Sequence, residues 1–244
     1  MKFNVVLSAA VAVTLSAGLA LAGTPFGGDD TGFVPPDKAT AKCEDGVTKN
    51  VGTLVGALIK CNIKDSDDQA KHSGAGTFDG QACQNTATGK WDAKVASLTC
   101  PACVDKNGVR DLTVTLVNLN GGVAFCDNTS GTAQDAPGTG YVPINKAIQK
   151  CEDGAAKNAG KLTTAIGKCH IKAADSGLKG KPFDEEACEG AALTKAAAAD
   201  AKLTGCPVCM GPAAQAALRG LVETLLDSNN VQSYCASPSG AFLN

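Results

Sequence analysis

Two short stretches carry residues whose spacing can do chemistry. C-P-A-C runs from Cys100 to Cys103, and C-P-V-C from Cys206 to Cys209. A C-x-x-C pair supports thiol–disulfide exchange when a helix N-terminus or a nearby cation lowers the pKa of one thiol. It also supplies half of a four-thiolate zinc site. No βαβ pattern of the thioredoxin kind surrounds either pair, and neither has a histidine neighbour. Covalent haem attachment needs C-x-x-C-H. Cys169-His170 comes near it, but position 166 is Ile166. The other histidine, His72, stands in the loop stretch "DQAKHSGAG". No catalytic triad and no paired-carboxylate signature emerge. The sequence reading therefore names no catalytic residue, no metal ligand and no cofactor, and takes the C-P-x-C pairs as structural staples.

The cysteines themselves are periodic. They stand at Cys43, Cys61, Cys83, Cys100, Cys103 and Cys126, then at Cys151, Cys169, Cys188, Cys206, Cys209 and Cys235. "KCEDG" occurs at Lys42–Gly46 and again at Lys150–Gly154. Thr31-Gly32-Phe33-Val34-Pro35 matches Thr139-Gly140-Tyr141-Val142-Pro143, and Lys60-Cys61-Asn62-Ile63-Lys64 matches Lys168-Cys169-His170-Ile171-Lys172. A fixed offset with this many agreements is the signature of an internal repeat. The expected organisation is a leader over residues 1–22, one six-cysteine module over 23–130 and a second over 131–244.

The leader has one lysine, a long apolar run and the small-residue site Ala20-Leu21-Ala22, which is the pattern of a secretory signal peptide. Twelve cysteines in an exported chain read as a disulfide framework. The expected location is secreted or periplasmic, and the Ala-rich leader suggests a bacterial source. The formal net charge of −2 becomes −3 once the leader and its lysine are removed. A balance this mild argues against nucleic acid as a partner. Aromatic residues are 4% of the chain, too few for stacking platforms. No later stretch is apolar enough for a membrane span.

The fold class expected is all-α: two tandem copies of a disulfide-stapled antiparallel helical hairpin plus a third helix. The predicted helices are Asp37–Ser66, Asp79–Leu98 and Asn107–Val117, then Asn145–Asp175, Asp184–Leu203 and Ala213–Leu226. At about 100° per residue, Cys43, Val47, Leu54, Leu58 and Cys61 fall within about 60° of one another, so one apolar stripe carries both cysteines. At 1.5 Å per residue those cysteines lie roughly 27 Å apart, and a disulfide needs Cα atoms within about 7 Å. They must therefore pair with a neighbouring antiparallel helix. The pairing expected is Cys43–Cys100 and Cys61–Cys83, with Cys151–Cys206 and Cys169–Cys188 in the second copy; spacing leaves an exchange of partners within each C-P-x-C open. The remainder, Cys103–Cys126 and Cys209–Cys235, would close each copy on itself.

Asn50 and Asn158 lie within about 20° of the cysteine line, on an otherwise apolar face. Each is expected either to set helix register or to contact a ligand. Taken together, these features describe an exported binding or structural module. Its partner is unspecified, and a protein or surface ligand engaged by both copies would suit the duplication. The alternatives are an exported thiol–disulfide oxidoreductase using the C-P-x-C pairs and a carrier of an apolar small ligand.

Overall fold

The computed structural model describes residues 25–135 and 137–236. The proposed leader lies outside the described residues. A short antiparallel hairpin, β1 (Pro25–Gly27) and β2 (Asp30–Phe33), comes first. Six helices follow: α1 (Lys38–Lys71), α2 (Gly80–Val95), α3 (Lys106–Ala124), α4 (Lys146–Leu178), α5 (Glu185–Asp200) and α6 (Pro212–Asn229). The chain is mostly helical, and the hairpin is a departure from the all-α expectation. Gly27 and Gly28 make its turn with φ of 114° and 56°, backbone that a side chain disfavours.

Each long helix starts on a side-chain cap. Asp37 accepts the amides of Ala39 and Thr40, and Asn145 accepts those of Ala147 and Ile148. α1 continues past Ser66 to Lys71, and Asp68 in its last turn takes the amides of Thr77 and Phe78 to start the return to α2. α1 packs most extensively on α4. α2 and α3 pack on α1, while α5 and α6 pack on α4. One core cluster joins Val47, Leu54, Leu58 and Trp91. A second takes Ile63 and Phe125 from one half of the chain and Cys151, Ala155 and Met210 from the other. No described helix is long and apolar enough to cross a membrane.

All twelve cysteines are bonded. Cys43–Cys100 and Cys61–Cys83 tie α2 and the segment after it to α1. Cys151–Cys206 and Cys169–Cys188 do the same for α5 and α4. The remaining bonds are Cys103–Cys235 and Cys126–Cys209. They run between the halves, so the expected pairs Cys103–Cys126 and Cys209–Cys235 are incorrect. The reason lies in the residue directly after each "KC". Glu44 Oε1 accepts the amides of Cys235 and Ala236, each at 3.2 Å. Glu152 Oε1 accepts those of Cys126 and Asp127, at 3.0 and 2.9 Å. Each half thus holds the other half's final cysteine beside its own C-P-x-C. The lead segments are exchanged in the same sense. Phe33 N donates to Tyr234 O and Tyr141 N to Phe125 O, both at 2.9 Å.

"KCEDG" recurs because its cysteine, glutamate and glycine each have a job at this junction. The cysteine bonds the segment after the second helix, and the glutamate caps the crossing segment. The glycine leaves room for Leu98 or Leu203, whose methyl carbons would lie 2.9 and 2.4 Å from an added Cβ. One prediction follows directly. Protein cut within residues 132–138 should remain a single species without reductant. Its non-reduced digest should contain peptides joining Cys103 to Cys235 and Cys126 to Cys209. A peptide joining Cys103 to Cys126 would contradict the crossing.

Candidate metal centre

The residue after Cys169 is His170, and the residue after Cys188 is Glu189. The bond between those cysteines fixes α4 and α5 in register, so the two side chains meet with His170 Nε2 2.9 Å from Glu189 Oε1. Glu185 stands one turn before Glu189 on the same face of α5. Its Oε1 is 3.7 Å from the same nitrogen. Asp227 on α6 brings Oδ1 to 3.5 Å, and Asp30 on β2 brings Oδ1 to 3.1 Å. Asp30 is delivered by the residue beside it. Thr31 Oγ1 donates to Asp227 O at 2.7 Å and accepts Val231 N, while Thr31 O accepts Asn230 Nδ2. Phe26 of β1 closes over the group, its ring edge-on to His170 and stacked at a tilt on Tyr234.

Four carboxylates therefore converge on one imidazole nitrogen, and all are removed from water. The side chains of Asp30 and Glu189 are 1% exposed, those of His170 and Asp227 are 2% and 3%, and that of Glu185 is 8%. A ring N–H serves one acceptor well, and here that is Glu189. Both oxygens of Asp30, Glu185 and Asp227 and Oε2 of Glu189 have no hydrogen-bond partner. Among the described residues no lysine or arginine pairs with any of the four. Buried carboxylates without partners are costly. The cost shows in their titration. Burial opposes a charge on His170, but Asp227, Asp30 and Glu189 more than offset it and push its pKa up to about 11. Burial, then Glu189 and Asp30, push Glu185 well above the ordinary carboxylate range. Burial also raises Asp227.

The same frame is built without charge in the other half. Asn62 follows Cys61, and Gln84 follows Cys83. Thr139 Oγ1 donates to Asn118 O at 2.6 Å, as Thr31 does to Asp227 O. Asn118 therefore stands where Asp227 does. Gln84 Nε2 donates to Asn62 Oδ1 and Asn118 Oδ1, and Asn118 Nδ2 donates back to Gln84 Oε1, at 3.0, 2.8 and 3.0 Å. Glycines occupy the two other matching positions. Gly80 precedes Cys83 as Glu185 precedes Cys188, and Gly138 precedes Thr139 as Asp30 precedes Thr31. Helix packing is thus satisfied by closed amide bonding, and the five ionisable residues that meet at His170 are not required by it.

The residues singled out from sequence lie elsewhere. Asn50 Nδ2 donates to Gly46 O within its own helix at 2.8 Å. Asn158 Nδ2 donates to Asp200 Oδ1 on α5 at 2.9 Å, and Arg219 of α6 binds the other oxygen of that carboxylate. The two asparagines are not brought together. His72 caps the end of α1 against Asp68. Cys100 and Cys103 are bonded to Cys43 and Cys235 and not to each other, and Cys206 and Cys209 to Cys151 and Cys126. Sequence reasoning missed Asp30, Glu185, Glu189 and Asp227, and considered His170 only for haem. The available signal was the contrast at matching positions: Asn62 against His170, and Gln84 against Glu189.

Beside this group, an apolar trough of about 180 Å³ runs between α3 and α6. Val51, Val55, Leu116 and Leu225 line it, and the ring of His170 borders it. Comparison with protein-family models, with curated proteins and with solved structures finds no match to this chain.

Proposed function

We propose that this is a secreted or periplasmic, disulfide-locked helical protein of two like units, residues 23–130 and 131–244, and that the cluster around His170, completed by Asp30 of the first unit, binds divalent transition-metal cations. The carrying observation is the convergence of Asp30, Glu185, Glu189 and Asp227 on His170 Nε2, with seven carboxylate oxygens lacking partners. Cation ligands at about 2.1 Å stand about 3.0 Å apart when adjacent and about 4.2 Å when opposite, by simple octahedral geometry. The ligand atoms of Asp30, His170 and Glu185, and those of His170, Glu189 and Asp227, lie within 4.8 Å of one another. One imidazole among carboxylates favours Mn²⁺ or Fe²⁺ over the softer thiolate-seeking ions. Every described cysteine is bonded and offers no competing thiolate.

Two other readings stand behind this one. A carrier of apolar small ligands is favoured by the trough between α3 and α6. An oxidoreductase is supported less, because neither C-P-x-C closes on itself.

The test is calorimetric titration of the full exported chain, stripped with chelator, with Mn²⁺ and Co²⁺. Saturable binding is expected. Metal at 100 times its Kd should add about 2.7 kcal/mol to stability. His170→Ala should weaken binding by more than the about 10–100-fold that loss of an outer-sphere partner costs. Gln84→Ala, in the amide-lined half, should leave binding unchanged. No saturable uptake of either ion would refute the reading.

A further inference from the structure

We infer that the cluster takes two cations, one bound through His170 and one held by carboxylates alone. The inference rests on the metal reading above and adds to it the stoichiometry and the order of binding. Four carboxylates and Nε2 present nine donor atoms, and seven of the oxygens lack any protein partner. A single octahedral ion takes six ligands. It would also leave two negative charges uncompensated among side chains that are 1–8% exposed, with no lysine or arginine beside them. Two divalent ions balance four carboxylates. Paired ions bridged by carboxylates sit about 3.5–4 Å apart, a spacing that fits donors spread over two overlapping triads. Those triads are Asp30–His170–Glu185 and His170–Glu189–Asp227.

An imidazole Nε2 binds one ion. Glu189 and Asp30 are nearest that nitrogen, so the first ion lies with them. Glu185 is farthest from it, at 3.7 Å. Glu185 also lines a separate, open cleft of about 440 Å³, bordered by Phe26, Gly27 and Gly28 of the hairpin, by Pro182 and Phe183 of the α4–α5 connection and by Glu186 of α5. The exposed Glu186 stands at this mouth, where it accepts the amide of Asp29. The all-oxygen ion therefore lies on the Glu185 side, next to solvent. It is the second to bind and the first to leave.

The experiment measures metal per chain on the full oxidised protein, stripped with chelator, saturated with Mn²⁺ and freed of excess by gel filtration. Two ions per chain are expected, with the electron paramagnetic resonance spectrum of an exchange-coupled pair. Glu185→Gln, which keeps the side-chain shape, should hold one ion and give the spectrum of an isolated Mn²⁺. Should Glu185→Gln lose its helical circular dichroism, Asp30→Asn supplies a second variant: three carboxylates no longer balance two divalent ions, so it too should drop the count to one. Glu186→Gln should keep both ions and speed loss or uptake of the outer one. One ion in the wild-type protein would overturn this inference and leave the metal reading in place. No ion would overturn both. Two coupled ions in a folded Glu185→Gln would overturn the assignment of Glu185 to the outer ion.

Discussion

Replacing Cys103, Cys126, Cys209 and Cys235 together by alanine should lower stability by about 7–8 kcal/mol, the largest effect expected of any change outside the helices. The two bonds lost span 132 and 83 residues of sequence. Their effective loops are shorter, because each bypasses through other bonds. With Cys126–Cys209 in place, Cys103–Cys235 closes roughly 50 residues, worth about 4 kcal/mol of unfolded-chain entropy. Cys126–Cys209 closes roughly 30 residues through Cys151–Cys206, worth about 3.5 kcal/mol. Removing Cys61–Cys83 alone, a separation of 22, should cost about 3 kcal/mol. A domain has about 5–15 kcal/mol in total. The four-alanine variant should therefore sit near its unfolding midpoint at ordinary temperature, while the Cys61/Cys83 variant stays folded. Denaturant titration of both variants checks the ranking. If the four-alanine protein is as stable as the Cys61/Cys83 variant, the crossing bonds do not lock the halves.

Stability should also fall as pH rises from about 5 to 8, the reverse of ordinary acid denaturation. Glu44 is fully buried. Burial raises its pKa to about 8, against the pull of the Ala236 and Cys235 amides. Burial likewise lifts Glu152 to about 7, and Asp45 and Asp153 to about 6. An acid with a higher pKa folded than unfolded holds its proton more tightly when folded. Folding then takes up protons between the two values. The stabilisation is complete below the unfolded value of about 4.5 and is lost as pH passes the folded value. At about 1.4 kcal/mol per unit, Glu44 alone accounts for a few kcal/mol. Glu44→Gln keeps an acceptor for the two amides and removes the charge. It should be more stable than wild type at pH 8 and little changed at pH 5. Melting curves in constant chelator, with the variant subtracted from wild type, isolate this carboxyl from the acids around His170. A wild-type profile that rises between pH 5 and 8 would show that Glu44 is ionised in the folded chain throughout.

The cap at Glu44 illustrates what local reasoning can and cannot reach. The repeat of "KCEDG" was visible in the letters, but the glutamate of its first copy serves a segment 191 residues away. Asp45 is a similar case. Its spacing suggests a helical pair with Lys49, yet it accepts the Tyr234 hydroxyl at 2.8 Å. Asp153, at the matching position, does pair with Lys157, at 3.7 Å. Asn158 was legible as an odd polar residue on an apolar face. Its partner, Asp200, was not, since helix periodicity fixes a face and leaves the opposing residue open.

Composition and spacing by themselves determined a mostly helical, cysteine-bonded chain with no apolar membrane-crossing helix among the described residues. Those properties follow from periods of 3.6 residues and from the small reach of a disulfide, both of which operate along a single helix or between two neighbours. Cys103, Cys126, Cys209 and Cys235 sit beyond the helices, where periodicity sets neither face nor height, and there spacing misassigns the partner. Only the tertiary structure carries each lead segment and each final cysteine across to the opposite half. The acidic cluster around His170 depends on that exchange. Asp30 precedes His170 by 140 positions and arrives through hydrogen bonds of the Thr31 hydroxyl and carbonyl with α6 and the turn after it, so no local pattern in the sequence marks it as a partner of His170.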